Sequence, residues 1–479
     1  MSHLKKNTVQ LTLAMIGQKV LAFFYFLTIA RLIGAESTGS YFLALSVTAI
    51  FSVLTDFGLQ PVLIREVAKQ KSEWQTLVRT TLSLKLVFVL LSSLFVIGFV
   101  HLMGYSPLVR QLSYVALGVM AFDAISLTMF GLLRGRQNLT FESIGMFTGQ
   151  TITAIFGVAF LVLQAPIVWL VVALLLGSLF NAVFSTWMVA RVTCGEAVLR
   201  FAWSWTYVLK LLKMAFPFAL AGIFVKVYSY VDTLTISRFF GETDVGIYAV
   251  AYKLTYAFQF LPLAFVAALY PALSELVHTK SEKLSETFEQ SMVYMAVLAS
   301  PIVFGIWATT ESLIAISVGS QFLASAPVLS VLIFVLFFLF LDFPIGSLLN
   351  AADRQGLKTT LMGLTMLINV VINVLLIPRI GVMGAAITAN ISFAFLFFSS
   401  LMFVPKFVRL DWPKFVWRLM RIFFAGLVMG LVVRWSSSYI SFPLLVVLGA
   451  LLYPTGLVVL RVLGYKEIRL LYAKLSSHA

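Results

Sequence analysis

The text LTIARLIGAESTGSY at residues 27–41 returns without a gap as LTISRFFGETDVGIY at residues 234–248, and this repetition limits the available folds more than any other feature of the chain. Leu27 falls on Leu234, Arg31 on Arg238, Gly34 on Gly241, Gly39 on Gly246 and Tyr41 on Tyr248. Carried backwards, the same register sets Lys19 on Lys226. An offset of about 207 residues is too long for a solenoid and fits a chain of two homologous halves. Each copy holds an apolar run containing a lysine, a small Gly-acid corner, and a second apolar run.

Those runs belong in a bilayer. With 61% apolar and 11% charged residues, 479 residues carry too little polar surface to cover a water-soluble globule. About fourteen runs are long enough to cross a hydrocarbon core of roughly 30 Å, among them 9–33, 39–63, 214–240, 245–269 and 326–349. The first is too long, and too interrupted by Lys19 and Arg31, for a cleaved leader, so it is expected to be retained. The net charge of +15 sits in short alternate loops, where it sets membrane orientation and places both termini in the cytoplasm; a nucleic-acid partner is not implied. A single cysteine, Cys194, and four scattered histidines argue against disulfides and metal sites.

The expected fold is all-α and polytopic: a six-helix bundle over 1–195, a second over 196–410, and an extra helix pair with a tail over 411–479. An even number of crossings between Lys19 and Lys226 makes the halves parallel repeats about an axis along the membrane normal. In such transporters the substrate site is expected near the midplane where the halves meet. Pro217, Pro262, Pro271, Pro301 and Pro344 should bend or interrupt second-half helices. No loop is long enough for an extramembrane catalytic domain, so an enzyme is not expected and no catalytic residue is assigned.

A charge at the bilayer centre costs about 2.5–3.5 kcal/mol on insertion scales and requires a partner, water or a path to the interface. Lys19 and Lys226 lie mid-run, with Lys253 and Lys85 less central. They are candidates for holding an anion such as a phosphate or pyrophosphate; the plain alternative is pairing with a carboxylate or snorkelling. The carboxylates Asp56, Asp123, Asp232 and Asp342 are candidates for a coupling proton or sodium ion, or for counter-ions to those lysines. Arg134, Arg136 and Arg354 read as topological charges. Arg31 and Arg238 are expected to pair with Glu36 or Glu242, and the tyrosines at 25, 228, 230, 248, 252 and 256 are sugar-path or packing residues.

Three stretches, ARLIGAESTGSYFLALS (30–46), SRFFGETDVGIYAVAYK (237–253) and NVVINVLLIPRIGVMGAAITANIS (369–392), resemble the polysaccharide transporter family of Wzx-type flippases. That family lies within the multidrug/oligosaccharidyl-lipid/polysaccharide export superfamily. The resemblance covers essentially the whole chain. It implies two six-helix bundles in a V plus a final helix pair, alternating between inward and outward states in the inner membrane. The implied substrate is an undecaprenyl-pyrophosphate-linked oligosaccharide such as an O-antigen unit. Membrane lipids and a polysaccharide polymerase are implied partners, with no cofactor beyond a coupling Na+ or H+. Related flippases hold pyrophosphate with cations on the first and the seventh to eighth helices, which here are Lys19, Lys226 and Lys253.

Two other functions compete. A drug exporter of the same superfamily would move organic cations, for which midplane lysines have the wrong sign. A membrane glycosyltransferase or polymerase would need larger outer loops than this chain has.

Overall fold

A computed structural model describes residues 2–69, 74–193, 203–279 and 281–462, with side chains from residue 11 onward except that of residue 268. Among the described residues every regular element is helical, as expected. Two compact units emerge: residues 1–253 with 362–385, and residues 254–361 with 386–479.

In the first unit the chain opens with α1 (Ser2–Asp56), broken at Gly34, whose φ of 80° and ψ of 175° no other residue adopts cheaply. From Leu11 to Ala68 the chain runs 58 residues with barely a pause. At about 1.5 Å per residue the part up to Asp56 is about 69 Å long, a little over two bilayer cores, so it crosses twice. Counting it as two reconciles the thirteen sufficiently long apolar helices among the described residues with the expected fourteen. There follow α2 (Leu59–Ala68), α3 (Trp74–Leu102), α4 (Pro107–Gly135), α5 (Thr140–Val162), α6 (Val168–Val192), α7 (Trp205–Phe240) and α8 (Glu242–Tyr256). Gly241 separates α7 from α8 with φ 89° and ψ −169°, so the repeated corner is a repeated backbone conformation. In this unit α1 packs on α4, α5 and α7, and α4 on α6. Without a hydrophobic driving force inside lipid, close approach through small residues carries such packing. A Cβ on Gly58, for instance, would lie 2.5 Å from the Ala215 carbonyl oxygen of α7.

The run expected to continue through residue 63 instead stops at Asp56. Phe57 and Gly58 take φ of 42° and 70°, and α2 leaves in a new direction. It buries Leu59, Val62, Leu63 and Val67 against α4 and α7 and leaves Arg65 half exposed, the signature of an interfacial amphipathic helix.

The second unit is organised by α10 (Lys283–Ser317), which packs on α9 (Phe260–His278), α11 (Ser325–Leu332), α12 (Val335–Ala351), α15 (Trp412–Ser436) and α16 (Phe442–Val459). Between the units in sequence run α13 (Gln355–Ile380) and α14 (Val382–Leu401). Pro217, Pro271, Pro301 and Pro344 lie inside helices. The span read as continuous over 245–269 is interrupted by a 3-10 turn at Ala257–Gln259. Pro262, having no N–H and a ring that crowds the carbonyl four residues back, cannot extend an α-helical ladder through Phe258. The final pair α15 and α16 is fastened to α10 by Ser300 donating to the Ile422 carbonyl at 3.1 Å and Tyr453 to that of Val297 at 2.9 Å.

Candidate functional site

Four helices of the first unit carry the mid-span charges. Lys19 lies on the first limb of α1, exposed and without an ion-pair partner among the described residues. Lys226, part buried on α7, has its ammonium 5.7 Å from the Tyr230 ring centre and is in electrostatic contact with Asp123 of α4. Ser178 of α6 also lies beside the Asp123 carboxylate. These residues therefore form one neighbourhood in which the lysine and carboxylate answer each other without closing into a direct ion pair.

Lys253 of α8 is held differently. Its ammonium lies 5.5 Å from the ring centres of both Phe26 and Phe42, on opposite limbs of α1. Ring faces carry negative quadrupole potential, so the site stabilises the cation without neutralising it. No carboxylate pairs with it among the described residues. The aromatic array continues through Phe42 to Tyr252 at 5.9 Å and Tyr252 to Tyr248 at 6.0 Å. It ends at Asp232: the Tyr248 hydroxyl donates to one carboxylate oxygen, and the Thr233 N–H donates to the other at 2.7 Å. Asp232 is fully engaged and only 5% exposed.

The other two pairs are closed. Lys85, 2% exposed, sits 2.7 Å from Asp56, close as an ion pair although not aligned as a hydrogen bond. Asp56 is the last residue of the second limb of α1, and a cation beside a helix C-terminus is also favoured by the macrodipole. In the second unit Lys358 of α13 bonds both oxygens of Asp342 on α12, at 2.6 and 2.7 Å, and the Ser400 hydroxyl at 3.2 Å. Lys358 is not among the sequence candidates; a lysine one turn into a helix that follows a buried aspartate was the only available signal. Sequence reasoning also missed Ser178, Phe26 and Phe42, which nothing in the local sequence distinguishes from packing residues. Arg134 engages the buried Glu142 with two hydrogen bonds, and Arg136 stacks 4.3 Å over Trp74. Glu242 accepts from Ser40.

Helices of this length and apolarity define an all-α polytopic membrane protein with charged and aromatic groups gathered inside its spans. Residues 4–277, more than half of the chain, match the family described as polysaccharide biosynthesis protein, and the chain belongs to that family. Residues 217–375 also match the MatE family, in keeping with the wider multidrug/oligosaccharidyl-lipid/polysaccharide export superfamily. The chain is similar to the probable low-salt glycan biosynthesis flippase Agl15 of Haloferax volcanii, 23% identical over 396 residues that cover 82% of this chain and 81% of the relative. It is 23% identical over 305 residues to the succinoglycan biosynthesis transport protein ExoT of Rhizobium meliloti, covering 64% and 60%. In fold it resembles the lipid II flippase MurJ in an inward closed conformation, with a TM-score of 0.75 at 14% identity over 94% of this chain and 98% of that one. An inward-facing multidrug resistance MATE transporter aligns with a TM-score of 0.68 at 14% identity over 84% and 98%.

Proposed function

We propose that the protein is a flippase carrying an undecaprenyl-pyrophosphate-linked oligosaccharide from the cytoplasmic to the outer leaflet by alternating access, for surface polysaccharide assembly. It would sit in the inner membrane with both termini in the cytoplasm, and no bond would be made or broken. The observation that carries this reading is the Lys253 ammonium, cradled by Phe26 and Phe42 with no carboxylate paired to it among the described residues. A desolvated cation of this kind attracts an anionic head group and repels an organic cation. Lys19 and Lys226 would complete the pyrophosphate site, each ammonium adding charge-assisted bonds.

The carboxylates divide by partner. Asp123, beside Ser178 and near Lys226, and Asp232, bonded to Tyr248, are the candidates for a coupling Na+ or H+. Asp56 and Asp342, closed against Lys85 and Lys358, act as counter-ions that hold helices together. The relatives' printed functions, glycan flippase and polysaccharide transport, agree with this reading.

The test is transport of a lipid-pyrophosphate oligosaccharide in proteoliposomes, scored as glycan reached by an impermeant glycosidase. Lys19→Ala with Lys226→Ala should abolish transport while membrane insertion stays at the parent level. Undiminished transport by a well-inserted double variant would remove the anion site.

A further inference from the structure

The crossing just beyond the repeated corner is reciprocal. A Cβ on Gly39 would overlap the Glu242 carbonyl oxygen and lie 2.9 Å from the Gly246 nitrogen. A Cβ on Gly246 would overlap the Ala35 carbonyl oxygen and lie 3.1 Å from the Gly39 nitrogen. Ala35 and Gly39 are the first-copy equivalents of Glu242 and Gly246, so each copy offers the other the same patch. Such self-complementarity is what a two-fold axis generates, and here the axis passes between the two glycines. Both glycines and the flanking Thr38, Ser40, Tyr41 and Val245 are buried, so the two backbones shut on one another without an intervening side chain.

One feature breaks the symmetry. Ser40 donates to the Glu242 carboxylate, whereas their equivalents, Ile247 and Ala35, are unable to form a side-chain hydrogen bond. The seat is thus two-fold and its polar catch single. Immediately next to it, Phe42 of the first copy contacts the Lys253 ammonium of the second. Lys253 lies seven residues beyond Gly246, about 10 Å along the helix at 1.5 Å per residue. Separating the two backbones would move Phe42 off Lys253.

We infer that the Gly39–Gly246 crossing, fastened by the Ser40–Glu242 hydrogen bond, is a latch that closes the Lys253 site from the membrane face remote from the N-terminus. The inference rests on the transport reading above only for what passes the latch. Nothing larger than a backbone separates the helices, so the contact opens without extracting a side chain from a pocket. The catch is one hydrogen bond to a charged acceptor, strong enough to favour closure and weak enough to be released in a transport cycle.

The test uses the full chain in cells. Replacing Cys194, the only cysteine, by Ser and introducing Thr38→Cys places a reporter in the seat, where Thr38 is fully buried and its hydroxyl has no hydrogen-bond partner. Labelling by a membrane-impermeant maleimide from outside should be slow in this background. Ser40→Ala should speed it about tenfold, the loss of one bond to a charged acceptor. Glu242→Gln, which keeps an acceptor for Ser40, should stay near the parent rate, and Gly246→Ala should label at least as fast as Ser40→Ala. Fast labelling in the parent, or one common rate in all four proteins, would overturn the latch. If Gly246→Ala fails to accumulate, Ser40→Ala against Glu242→Gln decides the question. Glycan transport measured in parallel separates the two ideas: faster labelling with no transport of any lipid-linked glycan by the parent would sink the flippase reading and leave the latch standing.

Discussion

Removing Lys358 should cost far more than removing an exposed lysine at the same distance from its carboxylate. The Lys358–Asp342 and Lys414–Asp411 pairs both have a closest approach of 2.6 Å. Their side chains differ in exposure, 13% and 16% in the first pair against 86% and 49% in the second. Lys358→Met leaves Asp342 charged, mostly shielded from water, and bonded to nothing comparable. Breaking a buried pair this way costs about 3–5 kcal/mol, and the remaining solvent contact puts Lys358→Met near the lower end. Asp342→Asn should cost a similar amount, because it strands the ammonium with only Ser400. The double variant removes both charges and should fall within about 1 kcal/mol of the parent, so the cycle returns a coupling of roughly 3 kcal/mol or more. The same cycle at Lys414 and Asp411 should return no measurable coupling. Detergent-driven unfolding of the purified protein, followed by tryptophan fluorescence, measures both. Equal couplings at the two sites, or a double variant as unstable as the singles, would refute the argument that burial decides the outcome. Transport in the stable double variant adds a second result: normal transport fits a counter-ion, and loss of transport would return Asp342 to the ion-coupling residues.

Two further outcomes are expected. Gly241→Ala should destabilise by about 1–3 kcal/mol through backbone strain alone, because its φ of 89° is glycine territory while a Cβ there would meet nothing within 4 Å; a cost below about 0.5 kcal/mol in the same unfolding assay would contradict it. Lys253→Met should weaken binding of a lipid pyrophosphate about tenfold and flatten its salt dependence, with Lys253→Arg retaining most of the affinity, since a planar guanidinium also stacks on Phe26 and Phe42. Fluorescence titration at two ionic strengths checks this, and affinity unchanged in Lys253→Met would remove the residue from the site.

What was legible in the sequence is what the backbone must do locally. Apolar length located the crossings, and the Gly-acid corner appeared in both copies because Gly34 and Gly241 hold nearly the same φ and ψ. Charges in apolar runs stand out in the sequence because their cost is a property of depth alone. Which charge answers which was not legible. Lys85 looks no different in sequence from Lys253, yet Lys85 meets Asp56 on a neighbouring helix while Lys253 meets two phenylalanines. The break after Asp56 was hidden for a related reason. Phe57 has no intrinsic preference for a φ of 42°; tertiary packing of α2 on α4 and α7 imposes it.

The duplication preserves geometry and gives up chemistry. Two pairs of positions whose identity the backbone enforces are kept: Gly34 with Gly241 at the corner and Gly39 with Gly246 at the crossing. Lys19 with Lys226, Arg31 with Arg238 and Tyr41 with Tyr248 are also retained, but three polar groups near the crossing stand in the second copy only. Asp232 takes the place of Tyr25, Lys253 of Ser46, and Glu242 of Ala35. The contrast at the first of these is structural as well: Asp232 receives the Tyr248 hydroxyl, whereas the Tyr25 hydroxyl is buried against Gly157 without a hydrogen-bond partner. A symmetric pair of ion sites would bind two equivalents and couple them equally to both repeats. Asp232 and Lys253 thus both lie on the second copy, and Lys253 has no ion-pair partner among the described residues. The other side supplies the ring faces and the backbone against which the second copy closes.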